Sequence, residues 1–365
     1  MLTQLQSLRA WAALSVMAFH LGASLAAPKY FGIPWAGAVT QFGYAGMFLF
    51  FVLSGFIIHQ VHARDFGRPD RAWRYVAKRV FRIYPLYLVL FSLLLIVMKW
   101  TGLGEGGIPT GWLALTKALL LLPQDPAVAG GTGAPVIIVA WSLQYEMVFY
   151  SVMLLFILDI RLGWLALAAL VAAFFVFPRI GAPGLFPAFL EAKYFQFFAI
   201  GVGTSMLAQA KTSPLHARVL WRGAQISFVG LWLLSAALSL ATEGALVLID
   251  NPGMQIALAL LVAALIFGAT EYERQGGQRA GGVARRLGDW SYAIYLLHFP
   301  VISLANKLAV TAELQAGVAA LVVVTGSLAL TLAGAALLHN LVERPAMAYA
   351  RSLVNAPASD VSSAG

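Results

Sequence analysis

The chain is predicted to be all-α: a polytopic membrane bundle of about ten transmembrane helices, with one short re-entrant or interfacial segment. Three observations predict this. Hydrophobic residues make up 61% of the 365 residues against 11% charged, and mean hydropathy is +0.82. A soluble domain has no use for so much apolar surface. Apolar stretches near the ~20 residues that a spanning helix needs recur along the whole chain. The basic residues, finally, concentrate on alternate connections, as the positive-inside rule requires.

Hydropathy and breakers place spans at 5–24, 43–61, 82–99, 141–159, 162–178, 193–208, 223–241, 254–270, 290–306 and 315–339. With the N-terminus inside, cytoplasmic loops and tail hold 17 Lys/Arg, seven of them in 62–82 and four in 271–289. Outer connections and outer span ends hold six: Lys29, Lys99, Lys117, Arg179, Lys193 and Lys307. Arg9, within the first span, completes the 24. The asymmetry predicts a protein of the cytoplasmic (inner) membrane with both termini cytoplasmic.

One segment tests this orientation. WLALTKALLLLP, residues 112–123, is apolar but too short to span comfortably. Were it to cross, every later loop would flip and the Arg-rich 271–289 loop would face outside. It is therefore assigned to the outer side as the re-entrant or interfacial piece, and the glycine-rich GGTGAP at 130–135 returns the chain to the membrane. Residues 1–350 read as a single membrane domain, and 351–365 as a disordered tail of small polar residues. The first stretch has no basic n-region and no cleavage site before Pro28, so it is expected to remain as a helix.

Composition also limits partners. The net charge of +9 lies in loops suited to anionic lipid headgroups, and nucleic acid is not an expected partner. With no cysteine, disulfides, iron–sulfur clusters and thiolate zinc sites are excluded. His59 and His62 lie at a basic edge with no carboxylate ligand pattern, so no metal site is expected.

The residues able to carry chemistry stand in apolar surroundings. Arg9 and His20 are eleven residues apart in the first span. That spacing puts them ~20° apart around one helix face and roughly 16 Å apart along it. Ionisable groups at membrane depth are costly and face a protein-lined, watery interior. Each alone has an ordinary reading, a snorkelling arginine or a hydrogen-bonded interior histidine; together they define two points along one path. The second span, YAGMFLFFVLSGFIIH, adds Gly46, Ser54 and Gly55, whose small size permits close helix packing.

RAWRYVAKRVFRIYPLY follows, with Arg79 and Arg82 three apart on one helix face. Two guanidiniums there form a fork for phosphate or carboxylate, the alternative being simple anchoring to headgroups. Pro85 marks a defined start or bend of the helix. AWSLQYEMVFYSVM carries Trp141, and puts Ser142, Glu146 and Tyr150 on one face. A carboxylate at that depth must be paired, solvated or protonated. DWSYAIYLLHFPVI places Ser291, Tyr295 and His298 at i, i+4 and i+7, a polar stripe on an apolar helix. Ser54, Trp141, Ser142, Tyr150, Ser291, Tyr295 and His298 are the substrate-site candidates. His339 precedes VERP, where Glu343 and Arg344 are expected to cap and anchor the last helix.

SLRAWAALSVMAFH, FLFFVLSGFII, KRVFRIYPLY, WSLQYEMVFY, LGDWSYAIYLLHFPV and the closing VERP, together and in order, resemble the membrane-bound acyltransferase 3 superfamily, within it the exopolysaccharide O-acyltransferase-like branch. The resemblance covers most of the chain. It implies a ten-helix core that moves acyl groups, commonly acetyl, from a cytoplasmic acyl-CoA onto carbohydrate hydroxyls, with no permanently bound cofactor. It matches Arg9 and His20 to the family's arginine–histidine motif, Glu146 to its WSLxxE glutamate, and Arg79 with Arg82 to its RxxR pair. The hydrolase-like C-terminal domain of some members has no counterpart in these residues, so peptidoglycan-type acceptors served by it are not expected.

The mechanism that follows makes His20 the general base for the acceptor hydroxyl. Glu146 orients it or stabilises its protonated form, and Arg79 with Arg82 holds the CoA phosphates. Arg9 contacts the donor's thioester region or pairs with a carboxylate of another helix. Donor phosphates and base stand across much of a ~30 Å core. The pantetheine arm threads the bundle, or a covalent relay through His20, Ser54 or Ser291 carries the acyl group. Expected partners are acyl-CoA, a polysaccharide or glycan acceptor and membrane lipids, with a polysaccharide synthase complex as a further candidate. Two other readings use the same helices: a transporter or flippase of a lipid-linked or polar saccharide, and a non-catalytic synthase subunit. The first lacks support from paired Gly/Pro-broken helices, and the second has no need of His20.

Overall fold

The computed structural model describes residues 2–102, 104, 107–124, 132–180, 194–208, 213–242 and 251–355. Among these there is no strand. Eight helices are long and apolar enough to cross a membrane, and two shorter apolar ones, Ile160–Val176 and Tyr194–Leu207, overlap the other two of the ten expected spans. The chain is an all-α, polytopic membrane protein. In chain order the helices are α1 (Thr3–Ala26), α2 (Pro34–Thr40), α3 (Ala45–His62), α4 (Ala72–Thr101), α5 (Trp112–Leu119), α6 (Trp141–Leu158) and α7 (Ile160–Ile180). Then follow α8 (Tyr194–Leu207), α9 (Pro214–Ala241), α10 (Pro252–Arg274), α11 (Gly282–Asp289), α12 (Ser291–Thr311), α13 (Ala316–Leu338) and α14 (Arg344–Asn355).

The helices fall into two compact units, one of Met1–Ala63 with Lys193–Ala335, the other of Arg64–Ala192 with Ala336–Gly365. In the first, α1 lacks a capping side chain of its own, since Leu2 stands at its N-cap. Glu273, at the end of α10, supplies the acceptor instead. Its carboxylate takes the Thr3 N–H at 3.0 Å, the Thr3 hydroxyl at 2.9 Å and the Gln4 N–H at 2.7 Å. A carboxylate on exposed N–H groups at a helix N-terminus is favoured by both hydrogen bonding and the helix dipole. α9 and α10 are capped locally: Ser213 and Asn251 accept the N–H groups of His216 and Met254, each with proline as the first helical residue.

Packing in this unit depends on absent side chains. In lipid, apolar burial does not drive helices together, so close van der Waals contact must. A Cβ on Gly55 would lie 2.2 Å from the Phe198 carbonyl oxygen, and one on Gly201 would lie 2.1 Å from that of Val52. α3 and α8 therefore touch backbone to backbone. Gly46 makes the same approach to Ala12 of α1. Beside it, Met17, Leu21 and Leu25 of α1 join Ile302 and Ala309 of α12 and Ala319 and Val323 of α13 in one buried cluster. Elsewhere on α13, Leu321, Leu330 and Leu337 are exposed, as lipid-facing residues are.

In the second unit, α4 begins at Ala72, ahead of the expected span at 82–99, and runs through Pro85, which lies inside the helix and not at its start. The expected short segment is α5. Its eight residues rise only ~12 Å, well short of a bilayer core. Tyr87 and Tyr84 of α4 donate their hydroxyls to the carbonyls of Ala118 and Leu120 at 2.7 and 3.1 Å, and Gln144 of α6 donates to that of Leu122 at 3.3 Å. Carbonyls left over where so short a helix stops thus find donors within the protein.

After α13 the backbone passes through a π-helical turn, His339–Glu343, into α14. Residues 351–355, expected to be disordered, are helical, and Val354 is buried. The rest of that tail, 356–365, lies outside the described residues, as do Lys193 and the first two residues of the 130–135 stretch.

Candidate active site

His20 lies in the second half of α1, half-buried, between the ring edges of Phe19 and Phe299 at 5.0 and 5.2 Å. Its Nδ1 is 3.0 Å from the Val16 carbonyl oxygen one turn back. A carbonyl can only accept, so Nδ1 carries the hydrogen and the lone pair of the neutral ring is on Nε2. Nε2 has no hydrogen-bond partner among the described residues. The second polar neighbour of Nδ1 is Nε2 of His298 on α12, at 3.1 Å. His298 is fully buried, and its own Nδ1 is 3.2 Å from the Ile294 carbonyl.

The polar stripe expected on α12 is buried as a whole. Ser291 is fully buried, and its hydroxyl has no hydrogen-bond partner among the described residues. Tyr295 packs against Phe50 of α3 and the His298 ring, at 5.5 and 5.8 Å. The stripe continues to Asn306, which donates to Ser24 of α1 at 3.1 Å. Arg9 and Ser54, both half-buried, belong to the same unit.

The second unit holds the other candidates. The Arg79 guanidinium lies over the rings of Tyr75 and Tyr150, at 5.9 and 5.6 Å from their centroids. Tyr150 donates its hydroxyl to Glu146 one turn away. The Tyr75 hydroxyl donates to the Tyr150 carbonyl at 3.0 Å, closing the cluster. Cation, two aromatic faces and carboxylate compensate one another in an apolar setting. The Arg79 Nε is buried without a hydrogen-bond partner among the described residues, a donor that an anionic group can use. Ser142 donates to the Val139 carbonyl at 3.3 Å, and Trp141 packs edge-on to Tyr145 at 6.0 Å.

Arg82 takes a different direction from Arg79. It donates to Glu343 at 3.0 Å and to the Met347 sulfur at 3.6 Å. Glu343, expected to cap the last helix, is almost fully buried and also meets His339 Nδ1 at 3.3 Å. The two arginines share a helix face, yet their side chains end on separate partners.

Glu146, expected to orient His20, accepts from Tyr150 within its own unit, and Nδ1 of His20 faces Val16 and His298 within the other. Tyr75 was not singled out. Its place one turn before Arg79 was the signal available, since an aromatic at i−4 can lie under a guanidinium.

The chain is 29% identical over 388 aligned residues to acyltransferase MdmB of Streptomyces mycarofaciens, covering 95% of this chain and 92% of that protein. It is 26% identical over 274 residues to the exopolysaccharide production protein ExoZ of Rhizobium meliloti (strain 1021), covering 73% of this chain and 78% of the other. No solved structure matches it. The family described as an acyltransferase domain, acyltransferase 3, matches residues 2–340, and the chain belongs to that family.

Proposed function

We propose that this acyltransferase moves an acyl group, acetyl, from a cytoplasmic acyl-CoA to a hydroxyl of an exported or cell-surface polysaccharide. The observation that carries the reading is His20, whose Nδ1 bonds to Val16 and whose basic Nε2 faces no protein partner among the described residues. Nε2 takes the proton of the acceptor hydroxyl as its oxygen attacks the thioester carbonyl. The C–S bond then breaks, and the departing CoA thiolate takes the proton from the imidazolium. Arg79, with its buried Nε, is the stronger candidate for an anionic group of the donor, because Arg82 is already engaged by Glu343. The name of the second relative supports an exopolysaccharide acceptor. The bias of basic residues supports cytoplasmic termini and an inner-membrane location.

The test is the acyl content of exported polysaccharide, measured by mass spectrometry in cells carrying the protein or His20→Ala. Loss of acylation with export intact supports the reading. Unchanged acylation in His20→Ala removes the general base, and arrest of export with normal acylation of the remainder favours saccharide transport.

A further inference from the structure

We infer that His298 is a positioning residue for the acyl-transfer site: through its Nε2 it holds His20 in the Nδ1–H tautomer, so that Nε2 of His20 is the nitrogen presented to the acceptor. This rests on the reading of His20 as general base.

The assignment follows from which atoms can donate. The Ile294 carbonyl, 3.2 Å from Nδ1 of His298, accepts only, so that nitrogen carries hydrogen and the lone pair of the neutral ring is on Nε2. That lone pair faces Nδ1 of His20 at 3.1 Å. The His20 Nδ1–H is therefore shared between two acceptors, the Val16 carbonyl on its own helix and His298 on another. In the opposite tautomer of His20, a lone pair would confront both acceptors at once. Buried unpaired acceptors are expensive, so the arrangement selects one tautomer.

The bond to Val16 is local and travels with α1, whereas the bond to His298 fixes the ring against α12. His298 is suited to this because it is fully buried and itself anchored at Ile294. When His20 gains the acceptor's proton at Nε2, the Nδ1–H bond remains and strengthens as the donor becomes charged. A neutral imidazole does this without burying a permanent carboxylate, whose desolvation in an apolar interior is costly.

The experiment compares three variants of the full-length protein in detergent or nanodiscs, with acyl-CoA and a soluble saccharide acceptor. Histidine-labelled protein reports the His20 ring by 15N NMR. His298→Gln keeps an acceptor oxygen near the position of Nε2. His298→Met has similar length without an acceptor, and His298→Asn can bond Ile294 but is too short to reach His20. The Met and Asn variants are expected to lose about 100-fold in kcat with little change in the KM for acyl-CoA, and the Gln variant to recover to within about tenfold of the parent. The NMR signature should show hydrogen on Nδ1 of His20 in the parent and the Gln variant, and mixed tautomers in Met and Asn. Parent-like kcat in Met or Asn would overturn the inference, as would lost kcat with the His20 tautomer unchanged. Activity in His20→Ala is a separate result that removes the general base itself, whatever the His298 variants do.

Discussion

Arg82 and Glu343 meet at 3.0 Å with the carboxylate 1% exposed, although 261 residues separate them in the chain. The guanidinium is the close cation for a buried charge, and His339 lies on the same carboxylate oxygen. Removing one partner of such a pair leaves the other buried and uncompensated. Arg82→Ala is therefore expected to destabilise the protein by about 3–5 kcal/mol. Adding Glu343→Gln should restore part of that loss. Unfolding of the purified variants in detergent measures both, and an Arg82→Ala protein as stable as its parent would show that the pair holds nothing together.

Arg79 should behave differently from its neighbour. Arg79→Ala is expected to raise the KM for acyl-CoA about tenfold or more, since charge-assisted hydrogen bonds are the strong ones. Binding of labelled acyl-CoA to both variants separates the two arginines. Unchanged donor binding in Arg79→Ala would confine this guanidinium to its packing on Tyr75 and Tyr150.

Glycines of similar sequence context should respond oppositely to one added methyl group. Gly55→Ala drives a Cβ into the Phe198 carbonyl and is expected to cost about 1–3 kcal/mol. Gly203→Ala, with nothing within 4 Å of the new Cβ, should be neutral or stabilise by about 0.5–1 kcal/mol. Paired thermal unfolding of the two variants is the measurement; equal effects would contradict the backbone contact between α3 and α8.

Glu273→Ala removes the acceptor at the start of α1. A loss of about 1–2 kcal/mol is expected, the range for removing an N-cap. Hydrogen exchange should rise first at Thr3 and Gln4, whose N–H groups lose their partner. Unchanged protection there would show that Glu273 does not hold the helix end.

Much of the fold was legible locally. Hydropathy locates a spanning helix because the bilayer core demands a minimum apolar length, whatever the neighbouring helices are. Gly46 and Gly55 were readable as close-packing positions for the same reason, since small residues in an apolar helix have few other uses. The helix that holds the 82–99 span begins ten residues earlier, at Ala72, because its first turns are basic and hydropathy registers apolar length rather than helical backbone. The His298 stripe was visible as polar residues at helical spacing, but spacing gives a face without saying what the face meets.

By itself, then, the sequence determined an all-α membrane protein, the order of its spans, and the ordered set of motifs whose resemblance to a known family pointed to acyl transfer. Only the tertiary structure decided that His20 meets His298, 278 residues away, and that Arg82 meets Glu343. The physical reason is range. Hydropathy and helical period act within one segment, whereas hydrogen bonds and ion pairs depend on how each helix is rotated and packed against the others.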